Sequence, residues 1–118
     1  MKLLHPANCL LALSLSMAAC ASPPPKSVEL AKRITNVQCE PAKTTVITLD
    51  TELAKAGVAV NAARCASDGR MYAAVCGGPT AFIRVVSVDA SDEQKARALG
   101  YQPVSLFPGL TDSNCPAN

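Results

Sequence analysis

The chain has 118 residues, enough for one folded domain. Its 11 basic and 9 acidic residues give a formal net charge of +2, which excludes the dense positive field of a typical nucleic-acid-binding protein. Hydrophobic residues make up 49% of the chain, too many for a disordered protein, and aromatic residues only 3%, too few for a base-stacking surface. Six cysteines indicate an oxidising compartment.

The first 19 residues have the pattern of an export signal. Lys2 supplies a positive charge, and an uncharged apolar run, CLLALSLSMAA, occupies residues 9–19. This run is too short to cross a bilayer as a helix and fits the hydrophobic part of a signal peptide. It ends in Met17-Ala18-Ala19-Cys20, which resembles the lipobox of bacterial lipoproteins: an aliphatic residue, two small residues and a cysteine.

The resemblance to lipoproteins implies cleavage before Cys20 and attachment of lipid to that cysteine. Ala21 stands where an Asp favours inner-membrane retention in enteric bacteria, so it implies sorting to the outer membrane, with the folded part facing the periplasm. The alternatives are an ordinary signal peptide cut after Ala19 and a Cys20 that forms a disulfide. Residues 20–27 would be a tether, stiffened by three consecutive prolines, and residues 28–118 the single domain.

The first half of this domain shows a mixture of helix and strand signals. Apolar residues at helical spacing predict a helix over residues 28–37, and the β-branched run TTVITL predicts a strand over residues 44–49. Asp50 is then expected to cap a short helix over residues 51–56, which Gly57 ends. A second strand is predicted over residues 58–66.

A tight hairpin is predicted next, because Asp68-Gly69 suits a type I′ turn. Residues 71–76 would form its return strand, with Met71 and Val75 facing the core. Cys65 and Cys76 would then lie about 13 Å apart along the strands, too far for a disulfide.

The second half is predicted to begin with a central strand at residues 82–88, since FIRVVSV is almost continuously apolar. Ser91 and Gln94 form a capping box for a helix that Gly100 ends. Residues 101–107 would be a last strand, interrupted by Pro103, and the remaining tail a loop. The fold class expected is α+β: a mainly antiparallel sheet of four or five strands, with two or three short helices on one face.

Four cysteines remain after Cys9 leaves with the signal and Cys20 takes lipid, an even number that predicts two disulfides. They are Cys39, Cys65, Cys76 and Cys115. Excluding a bridge between Cys65 and Cys76 leaves two connectivities open, 39–65 with 76–115 or 39–76 with 65–115. We expect these bridges to be structural, because the sequence has no Cys-x-x-Cys pair.

No enzyme mechanism is indicated. The one histidine lies in the signal, so Ser-His-Asp and Cys-His mechanisms are excluded for the processed chain. Asp50 and Asp89 each follow a predicted strand and precede a helix, where catalytic carboxylates sit but where helix caps are commoner. We therefore expect no catalytic residue, no metal and no cofactor, with a small hydrolase as the least favoured interpretation.

Two non-enzymatic functions fit this pattern. The first is a lipid-anchored binding or envelope-assembly module that docks onto an envelope protein. The alternative is a periplasmic inhibitor or immunity protein that acts on a wall-degrading or toxic enzyme. Neither involves nucleic acid. The candidate contact residues are those of the predicted turn and two tyrosines: Asp68, Gly69, Arg70, Tyr72 and Tyr101.

Overall fold

A computed structural model describes residues 26–117; the predicted signal, Cys20 and most of the tether lie outside this range, as does Asn118. All its strand pairs are antiparallel. The sheet has five strands in the order β4-β1-β3-β2-β5: β1 Ser27–Arg33, β2 Val60–Ser67, β3 Phe82–Asp89, β4 Gln102–Pro103 and β5 Thr111–Ser113. The two helices are α1 Val46–Lys55 and α2 Glu93–Ala98, and short 3-10 turns occupy Ala90–Asp92 and Val104–Leu106. The predicted α+β class is confirmed.

The prediction of a helix at residues 28–37 is wrong, because this segment contains β1. β1 lies between β3 and β4, so both of its edges are paired, and the sheet is covered on both faces. Leu30 packs on the helix side and its neighbour Ala31 on the other, and both are buried. Consecutive apolar residues hide the alternation of a half-buried strand and imitate helical spacing.

The predicted strand at residues 44–49 is also wrong, because α1 begins there. The hydroxyl of Thr45 accepts a hydrogen bond from the Thr48 amide at 3.1 Å and caps the helix. Asp50 therefore lies inside α1 and not at its start. Leu49 and Leu53, four residues apart, are buried on one face. Gly57 follows the helix with φ of 77°, so the predicted end is confirmed.

The predicted Asp68-Gly69 hairpin does not form. β2 pairs directly with β3, from Val60 opposite Val88 to Ser67 opposite Phe82, and residues 68–81 make a long connection between them. The return strand predicted at residues 71–76 is therefore wrong. β3 takes the place beside β2 that the return strand was predicted to occupy, because the apolar side chains of β3 pack on both faces of the sheet. The predicted central position of β3 is confirmed.

The C-terminal part matches the prediction in outline. α2 forms, and Gly100 follows it with φ of 94°. The capping box does not form, since Ser91 lies in a 3-10 turn and α2 begins two residues later. The strand predicted at residues 101–107 is shorter in the structure, where β4 covers two residues. The strand β5 was not predicted.

Each face of the sheet carries its own core. α1 and α2 cover one face, where the buried residues are Leu30, Leu53, Val58, Val86, Val88, Ala96 and Tyr101. We call this set the helix-side core. Residues 104–110 cover the other face, above Ala31, Ala66, Ile83 and Val85.

The disulfides are Cys39–Cys76 and Cys65–Cys115, one of the two connectivities left open by the sequence. The prediction that Cys65 and Cys76 do not pair is confirmed, although the hairpin register on which it rested is wrong. In the observed register Cys65 lies opposite Arg84 on β3 and opposite Ser113 on β5. Cys76 lies in the connection between β2 and β3.

The two ends of the sheet differ. At one end the chain enters β1: Ser27 pairs with Asp89, and the Lys26 carbonyl accepts a hydrogen bond from the Ala90 amide at 2.7 Å. At the opposite end, β1 and β2 are each followed by an irregular segment, residues 34–45 and residues 68–81. We call these two segments together the tip.

Candidate functional site: the disulfide-braced tip

Backbone and side-chain hydrogen bonds around Gln38 hold the two segments of the tip together. Its amide donates to the Gly78 carbonyl, and its carbonyl accepts from the Gly77 amide, each at 2.9 Å. Its side-chain Nε2 donates to the carbonyls of Ala73 and Pro79 at 2.9 and 3.0 Å. One glutamine thus satisfies backbone groups that no sheet pairs here.

The Cys39–Cys76 bridge lies next to Gln38 and joins the same two segments covalently. Its Cα atoms are 5.0 Å apart, and both cysteines are exposed. Cys39 has φ of 68° and is the single non-glycine residue with positive φ between residues 26 and 117. A left-handed conformation is unfavourable for a residue with a Cβ, so the surrounding contacts must hold it. The bridge braces the chain where it reverses.

Asp68 anchors the start of the second segment. Its carboxylate accepts hydrogen bonds from the Tyr72 hydroxyl, from Arg33 Nη1 at 2.8 Å and from the Arg70 amide at 2.9 Å. Burial raises the pKa of Asp68, but these bonds outweigh burial and lower it to about 2. The carboxylate of Asp68 is buried and used within the protein, and its predicted contact with a partner stays a prediction.

Asn36 closes the first segment in a similar way. Its Oδ1 accepts from the amides of Lys43 and Thr44 at 3.0 and 2.9 Å. The Thr80 hydroxyl donates to the Asn36 carbonyl at 3.1 Å and ties this loop to the second segment. The tip is therefore built from polar caps and a disulfide where regular pairing ends.

The outer surface of the tip presents apolar side chains. Met71 is fully exposed, at 101%, and Val75 is 55% exposed. Both were predicted to face the core as part of a return strand; without that strand they lie in solvent. The sequence did not indicate their exposure, since apolar residues beside a turn signal are normally assigned to a strand.

The other predicted contact residues have different positions. Arg70 and Gly69 are exposed, and Tyr72 is partly exposed. A Cβ at Gly69 would collide with the Gly109 carbonyl oxygen, so this glycine is required for close packing. Tyr101 is 1% exposed and belongs to the helix-side core, so it does not have the exposure expected of a contact residue.

A cleft of about 510 Å³ lies beside the first segment of the tip. Its lining is mostly apolar and includes Val37, Pro41 and Phe82, with Pro116 and Ala117 from the C-terminal tail. Such a lining suits shape-dependent contact better than acid–base chemistry.

The carboxylates considered for catalysis are both engaged elsewhere. Asp50 pairs with Arg84 at 2.8 Å, and Asp89 accepts a hydrogen bond from Asn61 at 2.8 Å. Within residues 26–117, no three His, Cys, Asp or Glu side chains are grouped as metal ligands. Over the same range, no helix has the length and apolar character needed to cross a membrane.

No protein-family model matches this sequence, and neither a curated protein nor a solved structure is significantly similar to it.

Proposed function

We propose that this protein is a lipid-anchored, periplasm-facing lipoprotein that binds an envelope protein through its tip. Cys20 would carry the lipid, on the strength of the lipobox resemblance. The chain enters the sheet at Ser27, at the end opposite the tip. A membrane attachment seven residues before Ser27 would thus leave the tip directed away from the membrane, separated from it by a sheet about 20 Å long.

The observation that carries the proposal is the exposed Met71 on a braced loop. Exposed single apolar residues are common, but Met71 stands three residues after the buried Asp68 anchor and five before the Cys39–Cys76 bridge. A loop held at both sides loses little conformational entropy on binding. Methionine suits such a contact because its unbranched thioether adapts to irregular surfaces.

A photo-reactive amino acid placed at position 71 in cells tests the docking surface. We expect a discrete crosslinked product with an envelope protein, and none from the same probe at Val60, a partly exposed position at the opposite end of the sheet. Met71→Ser should weaken capture of that partner from solubilised envelopes, whereas Val60→Ser should not. Equal crosslinking from both positions would refute the tip as the binding surface.

The same loop would serve the alternative function, an inhibitor or immunity protein. A rigid loop with a protruding apolar side chain is suited to enter an enzyme cleft. The identity of the crosslinked partner separates the two functions. A wall-degrading or toxic enzyme, inhibited by the purified protein but not by its Met71→Ser variant, would favour inhibition over envelope docking.

The lipid anchor has its own test. Intact-mass analysis of the processed protein should show acyl groups on Cys20, and Cys20→Ser should leave the chain unprocessed or released from the membrane. An unmodified Cys20 in the processed wild type would refute the lipoprotein assignment without affecting the docking surface.

A further inference from the structure

The Cys65–Cys115 bridge lies beside a buried positive charge. Arg84, on the central strand β3, lies opposite Cys65 in the register and is only 7% exposed. Its Nη1 is 3.6 Å from Cys65 Sγ and 3.8 Å from Cys115 Sγ. A guanidinium is always protonated in proteins, so this disulfide has a permanent cation in contact with both sulfurs.

Asp50 on α1 fixes the orientation of that cation. Its carboxylate accepts two hydrogen bonds from Arg84, from Nε at 3.2 Å and from Nη2 at 2.8 Å, which makes the pair bidentate. Nη1 is the remaining nitrogen and points toward the sulfurs. The helix therefore positions the arginine and also partly compensates its charge.

The two sulfurs of the bridge are not equivalent. Cys65 lies within β2 and is 3% exposed, whereas Cys115 lies in the C-terminal tail and is exposed. We therefore expect an external thiolate to attack Cys115 rather than Cys65. Attack at Cys115 makes the Cys65 sulfur the leaving group, directly beside Arg84.

We propose that Cys65–Cys115 is a thiol–disulfide exchange site for a dithiol reductant, attacked at Cys115 and activated by Arg84. The incoming thiolate forms a bond to Cys115 Sγ, the Cys65–Cys115 bond breaks, and its electron pair leaves on Cys65 as a thiolate that Arg84 stabilises. The second thiolate of the reductant then attacks the mixed disulfide and expels the Cys115 thiolate. Two electrons pass to the protein, and the reductant becomes a disulfide.

The consequence of exchange is local. Opening the bridge detaches the tail that supplies Pro116 and Ala117 to the wall of the cleft beside the tip. The Cys39–Cys76 bridge shares no residue with this site, so the tip keeps its brace. Reduction at Cys65–Cys115 would thus change the cleft while leaving the loop that carries Met71 in place.

The first test locates the attacked sulfur. The purified full-length protein in detergent is incubated with reduced glutathione, quenched with acid and mapped by mass spectrometry. We expect the mixed disulfide at this bridge to lie on Cys115, with a free thiol at Cys65. An adduct predominantly on Cys65 would overturn the proposal.

The second test measures the contribution of Arg84. The opening rate of each bridge by dithiothreitol is followed by alkylation, with Cys39–Cys76 in the same molecule as the internal control. Arg84→Gln should slow opening of Cys65–Cys115 about tenfold, equivalent to about 1.4 kcal/mol, and Arg84→Lys should restore part of that rate. If Arg84→Gln does not fold, Asp50→Asn tests the same mechanism. Because this variant removes the counter-charge of Arg84, it should increase the opening rate of Cys65–Cys115 severalfold. An unchanged rate in Arg84→Gln, an unchanged or slower rate in Asp50→Asn, or an equal change at Cys39–Cys76 would refute the mechanism.

Discussion

The helix-side core and the tip are stabilised in different ways. In the helix-side core, side chains such as Leu53, Val86 and Ala96 are completely buried between the sheet and two helices. In the tip, Gln38 and Asp68 hold the chain through hydrogen bonds, and an exposed disulfide links its two segments. Apolar burial dominates one region, and covalent and polar links dominate the other.

This difference explains why the tip can expose apolar residues without losing its shape. A loop that depended on its own apolar side chains for order would have to bury them. Here the Cys39–Cys76 bridge and the Asp68 anchor fix the backbone, which leaves Met71 available for contact with a partner.

Removing the Cys39–Cys76 bridge should have the largest effect. The bridge closes a sequence separation of 37 residues, for which the chain-entropy model gives about 4 kcal/mol. In Cys39→Ala/Cys76→Ala, urea unfolding should show a loss of about 2–5 kcal/mol in the free energy of unfolding. Hydrogen exchange should accelerate in residues 34–45 and 68–81 and much less in β3. An equal loss of protection in the tip and in β3 would contradict the division.

Leu53→Ala should cost about 3 kcal/mol in the free energy of unfolding, because it leaves a cavity in the helix-side core. Ile47→Ala is the matched control on the same helix, since Ile47 is 66% exposed and should cost less than about 0.5 kcal/mol. Both are measured by urea denaturation. Similar losses in the two variants would show that α1 does not stabilise the protein through its buried face.

The helix-side core was partly predictable from sequence. β3 carries a continuous apolar run, and Gly57 and Gly100 end the two helices with positive φ, so local signals and tertiary structure agree there. β1 was not predictable in this way, because its burial depends on residues distant in sequence: the two helices cover one face of the sheet and residues 104–110 cover the other. α1 was misassigned because β-branched residues at its start outweighed the cap signal of Thr45.

The tip was less predictable still. Its disulfide pairing could be narrowed to two alternatives. The choice between them depends on the register of Cys65 in β2, and the predicted hairpin assigned the wrong register. Asp68-Gly69 does contain a positive-φ glycine, as a turn requires. The aspartate, however, accepts bonds from Arg33 and Tyr72, and Arg33 is 35 residues away in sequence. Such a contact leaves no local pattern.

Asp68→Asn should lower the free energy of unfolding by about 2 kcal/mol, which is within the range for hydrogen bonds to a charged group. Asp112→Asn is the control: Asp112 pairs with Arg64 at 2.6 Å but its side chain is 83% exposed, so its loss should be below about 0.5 kcal/mol. Both are measured by urea unfolding at neutral pH.

The Asp68 contribution should also depend on pH. The pKa of Asp68 is lowered from 3.8 to about 2 on folding, so its stabilisation is complete above pH 3.8 and is lost as the pH falls toward 2. The difference in unfolding free energy between wild type and Asp68→Asn should therefore shrink over this interval. A difference that stays constant from pH 5 to pH 2 would show that the charge of Asp68 does not stabilise the tip.

Removing one tyrosine hydroxyl from each region should change the stability of the protein slightly, with opposite signs in the two regions. The Tyr101 hydroxyl is buried without a hydrogen-bond partner among residues 26–117, and burial, followed by the Asp50 charge, raises its pKa to about 12. Tyr101→Phe removes this unpaired group and should stabilise the protein by up to about 1 kcal/mol. Tyr72→Phe removes a donor to Asp68 and should destabilise it by a similar amount. Thermal unfolding of both variants measures the sign, and a destabilised Tyr101→Phe would mean that this hydroxyl has a partner, such as an ordered water.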